Sequence, residues 1–371
     1  MEPNLKIERR ENGELILTSG YALGGMSQSL AQVMVERALA HPDRSLICEK
    51  SPAGSFESLS YGDAHRRAMG VATYLLAQGA NEQTPLMILS GASRAHFIVQ
   101  LGALYAQVPV VPVSISYTAV AAAFPKFRAV FDKTEPKYLF AEAFELHEEA
   151  VSASGIDLNG VSLWSVAEGE IGGREVTQLD SLLALVDEAA VEASIQAITH
   201  STVAKYMFTS GSTGMPKGVI HNHGMMCALI AAQKVLREIS DDLAPVVLDW
   251  MPWSHVGAGQ MRLYGTIAQG GTIYLDDGKP TAADYPKTLA NLREVPITGY
   301  AGAPLGWSML VAALEEDEAL AEQFFVHLQT LQYGSAAMPT STYERLQSLL
   351  VKYQGARKTM STSLMSTEVA L

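Results

Sequence analysis

The chain has 371 residues, 48% of them apolar and 18% charged, with a mean hydropathy of +0.11. That length suggests two or three packed units with large cores, and the balance excludes a disordered chain. Acidic residues outnumber basic ones 39 to 26, a formal charge of −13. Such a surface repels nucleic acid and anionic lipid, so an anionic ligand must be held by local chemistry.

The N-terminus (MEPNLKIERRENGE) is charged and has no apolar stretch of the kind a secretory signal needs. Cys48 and Cys227 make neither a disulfide framework nor a metal spacing, which fits a reducing compartment. A cytoplasmic protein is expected. Helical periodicity runs through Ser29–His41 and Tyr61–Gly79, and the second is followed by the apolar run PLMILSG from Pro85. The stretch from Ala95 to Pro125 carries no formal charge, but Pro109, Pro112 and several polar residues break it. It reads as a helix to about Ala106 followed by a buried strand, not as a membrane span. A helix near Val120–Lys133 and a strand at Lys137 continue the alternation. Between about Gly169 and His200 the chain reads as acidic and helical, without strands, and serves as a connector. A second alternating block starts at Val203–Thr209 and continues through Val246, Gly270, Ile297 and Leu328. Alternation of this kind predicts an α/β fold of parallel sheets covered by helices, divided into subdomains 1–195 and 196–371.

The segment most informative about chemistry is TSGSTGMPKG, Thr209–Gly218, between a strand-like run and a helix starting near His223. Glycines let backbone N–H groups approach a ligand. Thr209, Ser210, Ser212 and Thr213 add hydroxyls, and Lys217 adds a mobile ammonium. Together with Gly211 and Gly214 they suit a polyphosphate. A P-loop is excluded, because Pro216 precedes Lys217 and Gly218 follows it where Gly-Lys-Ser/Thr is required.

This segment resembles the phosphate-binding signature of the adenylate-forming superfamily, which includes acyl-CoA synthetases, peptide-synthetase adenylation domains and luciferases. The resemblance extends from about Ser29 to Ala370. LDWMPWSHVGAGQ and TIYLDDGKP look most like the bacterial feruloyl-CoA synthetase branch. It implies an AMP-forming acid–thiol ligase that activates an aromatic carboxylic acid with ATP and Mg²⁺ and transfers it to coenzyme A. A fatty-acid ligase and a catalytically silent nucleotide- or acyl-binding module of the same fold are the alternatives. No nucleic acid partner is expected, and the resemblance allows a homodimer.

The same resemblance assigns residues. Thr209 and Lys217 would act on the phosphates, Thr367 would sit beside the α-phosphate, and Glu368 would hold the magnesium ion. Gly334, Ser335 and Ala336 would pack against adenine, with Leu364 where a stacking aromatic is usual. His255 would line the acyl pocket and thiol channel. Trp253, Gly302, Ala303 and Trp307 would wall that pocket, although on sequence the two tryptophans serve equally as core residues. Met365 stands where the family has glycine. Family members continue with a ribose-binding aspartate, a hinge and a small lysine-bearing C-terminal domain, none of which is identified here. A fragment or short form is therefore expected.

Overall fold

The computed structural model describes residues 4–210, 214–237, 244–362 and 366–369. Among the described residues, two seven-stranded sheets organise the fold. The first runs, edge to edge, Thr177–Gln178, Ser162–Ser165, Tyr138–Ala141, Leu86–Leu89, Val110–Pro112, Val203–Ser210 and Pro216–Asn222. The second runs Met360–Thr362, Thr330–Tyr333, Gly299–Gly302, Val246–Asp249, Thr272–Leu275, Ser45–Lys50 and Phe56–Ser60. Neighbours are parallel except Val203–Ser210 with Pro216–Asn222 and Ser45–Lys50 with Phe56–Ser60. A separate antiparallel hairpin joins Leu5–Arg9 to Leu15–Ser19.

Strand composition explains the layering. LMIL and YLFA are apolar on both faces, as a sheet covered on both sides requires. Leu86 and Ile88 join a core between the two sheets, while Met87 and Leu89 join another on the outer face. In the second sheet Ile273 faces the shared core, and Leu248, Tyr300 and Leu331 face a third core under the outer helices. Helices Leu30–Ala40, Tyr61–Ala77 and Arg94–Tyr105 fill the middle layer, each capped by a serine whose side chain accepts a backbone N–H. No helix among the described residues is long and apolar enough to cross a membrane. The uncharged stretch from Ala95 is the helix Arg94–Tyr105 followed by the strand Val110–Pro112. Both cysteines are free and buried.

Two sequence expectations need correction. The sheets do not divide at residue 195. Strands Ser45–Lys50 and Phe56–Ser60 add to the second sheet, and Val203–Asn222 closes the edge of the first. A linear scan for alternation locates strands but not the sheet each one joins. The connector around Gly169 also contains strands, since Glu170–Ile171 pairs with Arg174–Glu175 and Thr177–Gln178 pairs with Ser162–Ser165. Gly172 and Gly173, with φ of +57° and +71°, make the two-residue turn that a tight hairpin demands.

Candidate functional site

The hydroxyl-rich segment begins and ends in two antiparallel strands, Val203–Ser210 and Pro216–Asn222. Thr209 lies opposite Lys217 and Ser210 opposite Pro216. A strand, Pro216–Asn222, intervenes before the helix His223–Arg237, where the sequence predicts that the loop feeds that helix directly. Gly214, Met215, Lys217 and Gly218 are exposed. Lys133 donates from Nζ to the Pro216 carbonyl at 2.9 Å, tying the hairpin base to its neighbouring helix. Gly211, Ser212, Thr213 and Leu364 lie outside the described residues.

The turn Thr367–Val369 packs against both strands of this hairpin. One buried side chain joins them. His221 points inward from Pro216–Asn222 and donates from Nε2 to the Thr367 carbonyl at 2.6 Å. The Gln260 amide nitrogen meets the other ring nitrogen, Nδ1. An amide NH₂ can only donate, so Nδ1 accepts and the proton sits on Nε2, as the bond to Thr367 requires. Burial, with the nearby Lys205 charge, holds the imidazole below its ordinary pKa and keeps this tautomer neutral. The Glu368 carboxylate next door is exposed. The Ser366 hydroxyl is the main cause that holds it below the usual carboxylate range, and the Lys217 charge adds to the effect.

Lys205 anchors the same seam from the first sheet. It is fully buried, donates from Nζ to the Gly259 carbonyl at 3.0 Å and lies 4.9 Å from the Tyr264 ring centroid. Gly259 belongs to a π-helical turn, Gly257–Arg262, a geometry concentrated at functional sites. No carboxylate among the described residues pairs with Lys205. Residue-type scanning passes over Lys205, His221 and Gln260. The one available signal is a lysine inside the otherwise uncharged run VAKYMF.

The remaining predicted residues lie where parallel strands of the second sheet end. Such carboxyl ends are where open α/β sheets bind ligands. His255 follows Val246–Asp249, is exposed, and accepts the Gly257 N–H on Nδ1 at 3.1 Å. Gly302 and Tyr333 are register neighbours, and the Gly334 N–H points to the Gly302 carbonyl at 3.4 Å. Ser335, not Gly334, takes the left-handed conformation, with φ of +73°. A non-glycine residue held there is uncommon and typical of binding loops. Ala303 opens the helix Pro304–Glu316.

The two tryptophans are in cores, and of the two roles weighed on sequence their burial supports that one. Trp307 has no exposed surface, donates its indole N–H to the Gln332 carbonyl at 3.0 Å and meets Tyr300 edge-on. Trp253 is 2% exposed and packs edge-on against His96 and Phe97 between the sheets.

The family described as AMP-binding enzyme matches residues 34–357. A methyl-dioxo-octahydroindenyl-propanoyl:CoA ligase of Rhodococcus jostii (strain RHA1) is 26% identical over 301 residues, covering 79% of this chain and 55% of the relative. Long chain acyl-CoA synthetase 8 of Arabidopsis thaliana is 26% identical over 218 residues, covering 56% of this chain and 29% of the relative. Among solved structures, the adenylation domain of a keto acid-selecting NRPS module, bound to keto acyl adenylate, superposes with a TM-score of 0.74 at 17% identity. That match covers 94% of this chain and 61% of the other, and establishes likeness of fold. The chain spans little more than half the length of the first of these relatives.

The buried lysine generates a pH prediction. Burial lowers its pKa from 10.5 to about 7. Between those values the unfolded chain binds the proton and the folded chain does not, so stability rises with pH, by up to ~1.4 kcal/mol per pH unit. Below about pH 7 both states are protonated and the burial cost is fully present. Urea midpoints of the parent should climb relative to Lys205→Met between about pH 7 and pH 9. Parallel midpoints across that range would contradict the assignment.

Proposed function

The chain belongs to the AMP-binding enzyme family, and from that premise we propose that it activates a carboxylic acid with ATP and passes the acyl group to a thiol. One observation carries this reading: the hairpin ending in Lys217 and the turn bearing Glu368 share one exposed face, tied by the His221–Thr367 bond. A cation and a carboxylate held together in this way fit the tail of a nucleoside triphosphate and its counter-ion.

In the proposed reaction a carboxylate oxygen of the acid attacks the α-phosphorus, the bond to the β-phosphate oxygen breaks, and pyrophosphate leaves. Two anions must be brought together in line, so the chain's task is charge neutralisation and orientation. Lys217 and the backbone around Thr209 and Ser210 hold the departing phosphates. Thr367 lies beside the reacting phosphate, and Gly334, Ser335 and Ala336 offer a small-residue surface to adenine. His255, exposed at the start of the π-helical turn, lines the entry for acid and thiol. Coenzyme A is the proposed thiol, whose attack on the acyl carbon releases AMP.

Glu368 suits a magnesium ion. No cluster of three His, Cys, Asp or Glu side chains is present among the described residues. Mg²⁺ is commonly held by one or two protein carboxylates, with water and substrate phosphates completing its shell. When bound there, the ion would neutralise phosphate charge. As substrate we propose an aromatic or similarly compact cyclic acid of the feruloyl type.

The direct test is acid-dependent exchange of label between pyrophosphate and ATP. Exchange with a cinnamic-type acid supports the reading, and AMP binding without exchange for any acid would leave a nucleotide-binding module instead. Lys217→Ala should weaken ATP and pyrophosphate about tenfold while changing AMP affinity by less than about twofold, because a charge-assisted contact to the distal phosphates is lost. Equal losses for all three ligands, measured by calorimetry, would misplace the ammonium.

A further inference from the structure

A cavity of about 420 Å³ opens at the carboxyl edge of the first sheet. Strand direction makes it. Leu86–Leu89, Tyr138–Ala141, Ser162–Ser165 and Thr177–Gln178 are all parallel, so the residues that leave them gather at one edge. Ser93 follows the first of these strands, Glu142 the second, Val166 the third and Leu179 the fourth, and all four residues line the cavity. The adjacent strands Leu86–Leu89 and Tyr138–Ala141 send the chain opposite ways. One leads through helix Arg94–Tyr105, in the core between the sheets, to Val110–Pro112. The other leads through helix Glu148–Ala153, in the outer core, to Ser162–Ser165. Open α/β sheets bind ligands at such a parting of the chain. The cavity shares no residue with the site described above.

The floor is apolar. Leu59, Ile98 and Leu179 are buried there, with Ala95 beside them. Most of the charged groups around it are already engaged. Arg94 gives its backbone N–H and Nε to Glu49, at 3.1 and 3.2 Å, and Nη2 to Glu57 at 2.8 Å. Asp63 pairs with Arg66. Arg67 and Asp180 are exposed at the rim, where water screens them. Glu142 differs. Its Oε1 is buried and has no hydrogen-bond partner among the described residues. Burial pushes this carboxyl above the usual range, the Ser93 hydroxyl opposes the rise, and the Glu49 charge adds to it. A buried acceptor left unpaired costs more than the missing bond would contribute, so what the cavity lacks is a donor.

We propose that this cavity binds a primary ammonium carried on a compact apolar body, with the ammonium at Glu142 and the body over Leu59, Ile98 and Leu179. Size fits, because the volume falls within the ~300–1,000 Å³ typical of small-molecule sites, toward the end that suits a single ring. Chemistry favours an ammonium, which brings three N–H donors where a hydroxyl brings one. Its charge is opposite to that of the carboxylate, in a sheltered place where the attraction exceeds that in bulk water. The carboxyl group can present either oxygen to such a head, since its last torsion is broad and roughly two-fold. An anion is disfavoured, because Glu49 and Glu57 hold Arg94 and leave only the exposed Arg67 to meet it. The inference is independent of the acid-activating reading, since such an amine has no carboxylate to activate.

The test uses the full chain at neutral pH and three probes that share a ring and differ in the head: 2-phenylethylamine, 2-phenylethanol and 2-phenylethanesulfonate. Calorimetry should find the amine bound about tenfold tighter than the alcohol, a charge-assisted bond against a neutral one, with the sulfonate weakest. Glu142→Gln should bring the amine within about threefold of the alcohol. Its urea midpoint should not fall, because the change removes a buried charge that lacks a partner, and this also reports an intact fold. Ala95→Leu should fill the cavity and weaken amine and alcohol alike. Saturating AMP should leave amine binding unchanged. Equal affinity for amine and alcohol, tighter binding of the sulfonate, a preference that survives Glu142→Gln, competition with AMP, or no binding of any probe would each overturn the inference. All of these outcomes leave the acid-activating reading in place, since none of them touches pyrophosphate exchange.

Discussion

The site depends on keeping two sheets in register at one seam. The hairpin proposed to bind phosphate belongs to the first sheet. Glu368, His255 and Gly334 follow strands of the second. Lys205 crosses the seam to the Gly259 carbonyl, and His221 crosses it to Thr367 and Gln260. These are buried polar contacts, where an unmade bond costs more than a made one contributes. Both side chains have their protonated forms disfavoured by burial. The seam is therefore held by directional hydrogen bonds more than by paired charge, and directional bonds fix angles as well as distances.

The proposed binding of a polyphosphate by a chain of net charge −13 calls for local rather than overall charge complementarity. At physiological ionic strength charges more than about 8 Å apart on the surface are screened. In the proposed binding mode an approaching phosphate would meet the exposed Lys217. Glu368 alone would repel it, and its pKa is held down, so it stays ionised. In the proposed function that carboxylate would stand near phosphates with a cation between them.

The α/β fold with its parallel sheets was legible in the sequence. The hairpin segment carries its chemistry in consecutive residues, and strand-like runs such as LMIL and YLFA announce themselves by apolarity on both faces. Less legible was anything set by long-range pairing. Ser45–Lys50 reads as an N-terminal strand and cannot declare that it will pair with Thr272–Leu275. His221 looks like one polar residue in VIHNH until the fold brings Thr367, 146 positions away, to its ring. The two-glycine turn at Gly172 was a local signal, hidden inside a segment whose acidity suggested helix. Trp253 and Trp307 show the limit of residue type as a guide. Size and aromaticity fit a pocket wall and a core equally, and only burial separates them.

That separation changes where specificity is sought. With both tryptophans withdrawn into cores, the acyl site proposed above would take its shape from smaller residues such as Gly302 and Ala303. Trp307 would still act on it indirectly. Its indole N–H holds the Gln332 carbonyl, so the strand paired with Gly302 is fixed from behind by the outer core.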